Sequence, residues 1–157
     1  MVTAVIIVDH GSRLGASNDM LVHAAESFAA QSEYSIVEPA HMELASPDIA
    51  AAFERCVERG ATRVIVFPYF LSPGRHWTQD IPGLVAKAAA GYPTVKWLVT
   101  APFGLHPGMT AIINDRIRNC LNHSESGSER SVSLTARDRS CDLCDGITLR
   151  CPSNFSD

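Results

Sequence analysis

Four segments of the chain repeat the same order: a short apolar run rich in β-branched residues, a loop, and then a stretch with helical periodicity. The first run, TAVIIV from Thr3 to Val8, is apolar throughout, as expected for a strand covered by helices on both faces. Strands that alternate with helices favour a parallel sheet. We therefore predict a single α/β domain over residues 1–122, in which βα units form a parallel four-stranded sheet with flanking helices.

Local signals predict where these elements begin and end. Ser17 is expected to cap the first helix, which reaches Gln31, and Ser46-Pro47 is expected to begin the second helix as an N-cap followed by a first-turn proline. Gly60 stands where a helix C-terminal glycine belongs. The other predicted elements are strands near 35–42, 63–67 and 94–99, a third helix broken at its start by Pro82-Gly83, and a fourth helix from Pro107 to about Leu121.

Composition argues against two broad classes of function. The 157 residues carry a formal net charge of -4, whereas a general affinity for nucleic acid needs clustered Lys and Arg. No apolar run approaches the roughly 20 residues that a membrane-spanning helix needs. We therefore expect no nucleic acid and no membrane among the partners, and composition leaves the compartment open.

The composition changes after Leu121. Residues 123–140 are rich in Ser, Glu and Arg without apolar periodicity, which predicts a flexible linker. The tail over 141–157 supplies soft ligands suited to an iron–sulfur cluster or to zinc. These ligands are Cys141, Cys144 and Cys151. Cys120 is a candidate fourth ligand, although a place in the core is equally consistent with its position, and Cys56 is expected to pack inside the domain.

In an open parallel sheet, ligands bind beyond the carboxyl ends of the strands, where the loops diverge around a pocket. Four of the six histidines fall in or beside those loops: His10, His41, His76 and His106. A shared site explains this clustering better than four separate structural roles. The sequence therefore predicts a metal or proton-transfer site at this edge of the sheet.

Two of these histidines are the principal candidates. His10 directly follows a buried strand, so its imidazole is held at a fixed height, and Gly11 lets the backbone approach a ligand. His76 lies in a predicted loop with Pro73 and Gly74, and neutral imidazole suits iron, cobalt, nickel and zinc. Each histidine alone is also consistent with a capping or a solvated side chain. The pair on neighbouring loops favours a metal site.

Charged side chains accompany the histidines. Glu43 follows His41 by two residues, so in extended geometry both share one face and the carboxylate can bind metal or accept protons. Arg13 and Arg75 each stand beside a principal histidine and suit bidentate pairing with carboxylates, which implies an anionic substrate. The alternatives are a solvated Glu43, a packed His41 and surface salt bridges for the arginines.

Flat apolar side chains occur in the same loops, and some of them belong to the core. They are Tyr69, Phe70, Leu71, Trp77 and Phe103. Such surface is appropriate for a large planar ligand.

Three motifs resemble, in this order, those of the short class II chelatases, the CbiX and SirB group that acts on sirohydrochlorin. They are HGSR after the first strand, MELASPDI after the second and VFPYFLSPGRH after the third. The resemblance covers roughly residues 3–121. It implies a chelatase-like α/β fold, a homodimer of half-size chains, and a lyase activity that inserts Fe2+ into sirohydrochlorin to form sirohaem.

The resemblance also implies roles for individual residues. The two metal-site histidines of the family map onto His10 and His76, and its acidic partner maps onto Glu43. Relatives often carry an aromatic or aliphatic residue where this chain has His41, so the role of His41 stays open. The candidate substrate-binding residues in the motifs are Ser12, Arg13 and Arg75.

The cysteine-rich tail resembles that of the plant members of the family, which binds an iron–sulfur cluster. This resemblance implies a [2Fe-2S] cluster on Cys141, Cys144 and Cys151, with the fourth ligand open. It also implies a chloroplast location, with the transit peptide absent from this chain.

Our hypothesis is that His10 and His76 present the metal and take the pyrrole protons, that Glu43 assists, and that the two arginines hold peripheral carboxylates. Two alternatives stay open. A histidine site accepts Co2+ at least as readily as Fe2+, so a cobaltochelatase of corrinoid synthesis fits the same residues. A non-catalytic carrier of metal or tetrapyrrole would use them without turnover.

Overall fold

The computed structural model describes the backbone of residues 1–126 and the side chains of residues 1–121. In chain order the elements are β1 (Thr3–Asp9), α1 (Gly15–Gln31), β2 (Ile36–His41), α2 (Ile49–Glu58), β3 (Arg63–Pro68), a π-helical turn (His76–Asp80), α3 (Ile81–Ala89), β4 (Lys96–Val99) and α4 (Gly108–Ser126). One unit, Met1–Gly104, contains the whole sheet and the first three helices, and a second unit beginning at Leu105 contains α4. The predicted alternation of strands and helices is confirmed.

The four strands form one parallel sheet in the order β2-β1-β3-β4. The continuous apolar run that we predicted to be covered on both faces is one of the two central strands. Val5 of this strand pairs with Val37 on one side and with Ile65 on the other. Because all strands run the same way, their carboxyl ends lie at one edge, and the loops that follow them emerge together.

Alternate residues of β1 face opposite sides of the sheet. Ala4, Ile6 and Val8 belong to the larger core, on the side of α2 and α3, where Phe53 and Ile81 are fully buried. The intervening residues of β1 pack against α1 on the other side. Burial of each large side chain contributes about 1.5–3 kcal/mol, so β1 holds both layers of the unit together.

The predicted caps of the first two helices are wrong. Leu14 occupies the N-cap of α1 without a side-chain hydrogen bond, and Ser17 lies inside the first turn, where its N–H donates to the Leu14 carbonyl at 3.1 Å. Helix α2 begins after Asp48, whose carboxylate accepts the Ala51 N–H at 2.8 Å. Ser46 and Pro47 precede that cap, joined by a cis peptide bond.

The third helical segment starts earlier than predicted. Pro82 does not break it: the helical segment begins before this residue and continues through it into α3. The π-helical turn precedes α3 directly, so His76 begins a helical turn instead of lying in a loop. Gly60 adopts a φ of 90° after α2, which confirms the predicted helix end.

The second unit contains the fourth predicted helix, which extends to Ser126, beyond the predicted end near Leu121. His106 caps it, because its Nδ1 accepts the Gly108 N–H at 3.1 Å. None of the helices within residues 1–126 combines the length and apolar character needed to cross a bilayer.

Candidate metal-binding site

The candidate site lies just beyond the carboxyl ends of β1 and β2, where backbone hydrogen bonds continue to join the two chain segments. The Met42 N–H donates to the Asp9 carbonyl at 2.8 Å, and the Glu43 N–H donates to the His10 carbonyl at 3.1 Å. The backbones of His10 and Glu43 are therefore joined directly, although they lie on different loops.

Gly11 makes this close approach possible. Its φ is 85°, a conformation that side chains with a Cβ rarely adopt, and a Cβ built there would lie 1.9 Å from the Glu43 carbonyl oxygen. The Gly11 N–H also donates to the Asp9 carboxylate at 2.9 Å. The glycine therefore lets the loop carrying His10 pack directly on the loop carrying Glu43.

The side chains of His10 and Glu43 meet above this backbone pair. Glu43 Oε1 lies 2.8 Å from His10 Nε2, and the two side chains are 54% and 42% exposed. The other ring nitrogen, Nδ1, lies 3.3 Å from the Gly11 carbonyl. Both nitrogens of His10 thus face an acceptor, so its proton can move to Nδ1 when a metal takes Nε2.

His76 completes the site from the π-helical turn. Its ring centroid lies 5.1 Å from that of His10 in an edge-to-face arrangement, and its side chain is 49% exposed. The two imidazoles therefore lie in edge-to-face contact and are both open to solvent, as expected from their positions in the sequence. A cavity of about 490 Å³ opens beside them, lined by Met42, Glu43, His76, Gln79, Asp80, Gly83 and Leu84.

His41 does not join this cleft, so the prediction that it shares a face with Glu43 is wrong. Strand β2 ends at His41, and the chain then turns, with Leu44 at a φ of 66° and the His41 N–H donating to the Pro47 carbonyl at 2.8 Å. His41 is only 1% exposed and pairs with Asp9, whose Oδ1 lies 2.6 Å from its Nδ1. The packed alternative is therefore correct for His41.

The predicted substrate-binding residues differ in how firmly other groups hold their side chains. Arg13 is exposed and forms no ion pair or side-chain hydrogen bond with any of residues 1–121, whereas Arg75, 79% exposed, lies 3.8 Å from Asp80. The Ser12 hydroxyl accepts the Leu14 N–H at 3.0 Å, which makes it a turn-stabilising group in this structure. Both guanidinium groups are thus available to carboxylates arriving from solvent.

The predicted aromatic surface divides into two parts. Phe70 packs against the core beside the site, with its ring 6.5 Å from that of His76. Trp77 points elsewhere, because its indole N–H donates to the Thr100 carbonyl at 2.8 Å. Tyr69 and Phe103 stack edge to face and line an apolar groove of about 600 Å³ on the α1 side of the sheet. Only part of this surface therefore adjoins the histidines.

The structure does not place two groups of predicted residues in this site. His106 belongs to the second unit, and Cys141, Cys144 and Cys151 lie outside the described residues. Cys120 is half-buried on α4, and Cys56 is fully buried, as predicted. Within residues 1–121, no three His, Cys, Asp or Glu side chains form a group that could hold a metal ion by itself.

Three residues that position the site were not singled out from the sequence. Asp9 accepts from both Gly11 and His41, and Asp80 Oδ2 lies 2.8 Å from His76 Nδ1. Asn18 clamps the Ser12 backbone, accepting its N–H at 2.9 Å and donating to its carbonyl at 2.8 Å. The spacing of four residues between His76 and Asp80 was visible in the sequence, but only a helical turn makes it meaningful.

The arrangement offers imidazole and carboxylate groups, an open mouth and neighbouring guanidinium groups. Neutral imidazole and carboxylate together suit a borderline transition metal such as Fe2+ or Co2+, and they can also accept protons. Such a cluster beyond the carboxyl edge of a parallel sheet lies where α/β proteins bind their ligands, and the neighbouring guanidinium groups suit an anionic one.

Comparison with known families places the chain more narrowly. The family model CbiX matches residues 4–120, and the chain belongs to this family. The sequence is 50% identical over 128 residues to a chloroplastic sirohydrochlorin ferrochelatase of Arabidopsis thaliana, covering 82% of this chain and 57% of the relative. It is 37% identical over 125 residues to a sirohydrochlorin ferrochelatase of Priestia megaterium, covering 78% and 47%.

Solved structures agree with this placement. SirB from Bacillus subtilis with Fe3+ superposes with a TM-score of 0.66 at 27% identity, covering 80% of this chain and 47% of SirB. A CbiX protein from Marinobacter aquaeolei superposes with a TM-score of 0.67 at 26% identity, covering 77% of this chain and 98% of that protein. The chain thus spans about half the length of the curated relatives that it matches.

Proposed function

We propose that this chain is a sirohydrochlorin ferrochelatase, which inserts Fe2+ into sirohydrochlorin to form sirohaem and releases two protons. The observation that carries the proposal is the pair of exposed imidazoles, 5.1 Å apart, with the Glu43 carboxylate against one of them. The relatives from Arabidopsis thaliana and Priestia megaterium bear this activity in their names.

The geometry suits each part of this reaction. Fe2+ must exchange its waters for ring nitrogens while two pyrrole N–H groups lose their protons. His10 and His76 present the ion as ligands, and Glu43 lies close enough to His10 to accept a proton that His10 has taken from a pyrrole N–H. An open cluster with few ligands also suits a metal that has to leave with the product.

The arginines supply the recognition of the macrocycle. Arg13 is exposed beside the loop of His10, and Arg75 precedes His76 on the opposite loop. Guanidinium groups bind carboxylates in bidentate fashion, so the two residues hold peripheral carboxylates of the substrate while the ring centre lies over the histidines.

The test is a spectroscopic insertion assay with sirohydrochlorin and Fe2+ at substoichiometric protein. We expect His10→Ala and His76→Ala to lower kcat/KM by about 10²–10⁴-fold, the range for lost acid–base catalysis. His23→Ala, on the exposed side of α1, is the matched control and should behave like the wild type. Unchanged kinetics in His10→Ala would refute the proposal.

Cobalt insertion is the second candidate function. SirB from Bacillus subtilis has also been solved in complex with cobalt, and a sirohydrochlorin cobaltochelatase of Methanocaldococcus jannaschii is 44% identical over 82 residues. The same assay with Co2+ in place of Fe2+ compares the two metals. Binding of metal and tetrapyrrole without turnover with either ion would favour the carrier alternative instead.

The proposal includes a homodimer. The chain covers 47% of the Priestia megaterium relative and 47% of SirB, so two copies match the length of one such protein. Light scattering coupled to gel filtration tests this directly. A mass of one chain across the micromolar range would contradict the dimer.

The proposal also includes a [2Fe-2S] cluster on Cys141, Cys144 and Cys151, with Cys120 as a candidate fourth ligand, and a plastid location. Three thiolates with this spacing suit such a cluster, and the Arabidopsis thaliana relative is chloroplastic. A visible absorption spectrum of anaerobically purified protein distinguishes a cluster from zinc. A colourless, zinc-loaded sample would contradict the cluster.

A further inference from the structure

The imidazole of His76 is held by a carboxylate that belongs to neither of the loops carrying His10 and Glu43. Asp80 Oδ2 lies 2.8 Å from His76 Nδ1. An ionised carboxylate can only accept hydrogen bonds, so Nδ1 must carry the hydrogen of this contact. A neutral His76 therefore has its lone pair on Nε2.

The local backbone fixes this contact. The π-helical turn is closed by the Ile81 N–H, which donates to the His76 carbonyl, and Ile81 itself is fully buried. Asp80 immediately precedes this buried anchor and is 33% exposed. In such a turn, residues four apart lie nearly one above the other, so the carboxylate lies directly against the ring.

The other carboxylate oxygen of Asp80, Oδ1, has the guanidinium group of Arg75 as a more distant neighbour. Arg75 Nε lies 3.8 Å from Asp80 Oδ1, beyond ordinary hydrogen-bond distance, and its side chain is mostly exposed. The close hydrogen-bond contact of the Asp80 carboxylate is therefore the one between Oδ2 and His76 Nδ1. By contrast, the corresponding nitrogen of His10 faces only a backbone carbonyl at 3.3 Å, so the two imidazoles are held to different degrees.

We infer that Asp80 is a positioning residue, which holds His76 in the tautomer whose Nε2 is free to bind the incoming divalent metal. This inference rests on the proposed function only in taking the metal as substrate. Carboxylates in this position orient metal-binding histidines and increase their basicity as ligands, and their loss typically lowers metal affinity by about 10–100-fold. Asp80 acts through His76 and is assigned no contact with the reacting atoms.

The experiment compares wild type, Asp80→Ala, Asp80→Asn and the control Asp19→Ala, an exposed aspartate on α1. Long-range ¹H–¹⁵N NMR of the metal-free protein reports the tautomer of His76, and titration with Co2+ alone reports metal affinity. We expect Asp80→Ala to shift His76 toward the Nε2–H tautomer and to weaken Co2+ binding by about 10–100-fold. Asp80→Asn keeps an acceptor for Nδ1–H and should retain the wild-type tautomer and most of the affinity.

Three results would overturn the inference. They are an unchanged tautomer in Asp80→Ala, an unchanged Co2+ affinity despite a changed tautomer, and an equal loss in Asp19→Ala. Circular dichroism spectra of all variants exclude unfolding as the cause, and if Asp80→Ala does not fold, Asp80→Leu, which also lacks an acceptor for Nδ1–H, takes its place with the same expected results. If the wild type fails to metallate sirohydrochlorin but the tautomer and the affinity still change, the proposed function fails and the role of Asp80 stands.

Discussion

His41 and Asp9 form a pair next to the candidate site, with 2.6 Å between Nδ1 of the histidine and Oδ1 of the carboxylate. The same carboxylate oxygen accepts the Gly11 N–H at 2.9 Å. This shared acceptor, Asp9 Oδ1, links His41 to the turn that carries His10. The role of His41 is therefore structural, and its side chain lies outside the cleft.

Removal of either member of this pair should destabilise the protein. An acceptor or donor left unsatisfied away from water costs about 1–3 kcal/mol, and we expect His41→Ala and Asp9→Ala each to lose at least this much. In a double-mutant cycle by urea unfolding, the coupling free energy should be about 0.5–3 kcal/mol. A cycle in which the two losses simply add would contradict a direct interaction, and His23→Ala serves as the control for an exposed histidine.

Gly11→Ala should damage both stability and activity. The new Cβ would collide with the Glu43 carbonyl, and the positive φ adds strain of about 1–3 kcal/mol. Because the clash pushes apart the backbones of His10 and Glu43, insertion should slow even where the variant remains folded. Thermal denaturation and the insertion assay measure the two effects.

Gly91→Ala is the matched control for this substitution. A Cβ at Gly91 meets no atom within 4 Å, and the residue does not have a positive φ. We expect a change within about 0.5 kcal/mol and normal activity. Equal losses in the two variants would show that the close approach at Gly11 has no special importance.

The buried thiol of Cys56 should make stability fall at alkaline pH. Burial, with a smaller contribution from the charge of Glu38, raises the pKa of Cys56 from 9.0 to about 12. Above pH 9 the unfolded chain loses this proton while the folded chain keeps it, so the stabilising contribution is complete below pH 9 and declines as pH rises toward 12.

Urea unfolding at pH 8.5 and 10.5 measures this decline. From the two pKa values, Cys56 should account for a loss of about 2 kcal/mol between these pH values. Cys56→Ala is expected to remove that part of the pH dependence, whatever its effect on stability at neutral pH. An identical pH dependence in the variant and the wild type would exclude Cys56 as the source.

Asp48→Ala should destabilise α2. The carboxylate of Asp48 accepts the Ala51 N–H, and loss of such a cap typically costs about 1 kcal/mol. Ser46→Ala, which removes the cap expected from the sequence, should leave the free energy of unfolding nearly unchanged because Ser46 is exposed and lies before the helix. Chemical denaturation of both variants decides between the two caps.

The sequence was sufficient to predict the sheet and the pair of histidines, because both depend on short-range patterns. A continuous apolar run identifies β1, and a histidine directly after a parallel strand has to lie at the carboxyl edge. His10 follows β1 directly and His76 lies in the segment after β3, so both were expected at this edge, and their ring centroids lie 5.1 Å apart.

The supporting residues could not be predicted in the same way, because they depend on how the chain turns between elements. The extended geometry assumed for His41 and Glu43 fails at a turn in which Leu44 has a positive φ. The partnership of His76 with Asp80 exists only because a helical turn begins before Pro82, where a loop was expected. Both outcomes follow from tertiary packing that overrides local propensity.

The hydrogen bonds that continue between the two loops beyond β1 and β2 have a consequence for each reaction cycle. Loops that order only when a ligand arrives consume part of the binding free energy in losing their conformational entropy. Here a backbone hydrogen bond already joins Glu43 to His10. Under the proposed function, free energy from substrate contacts thus remains available to bring the metal and the ring nitrogens together.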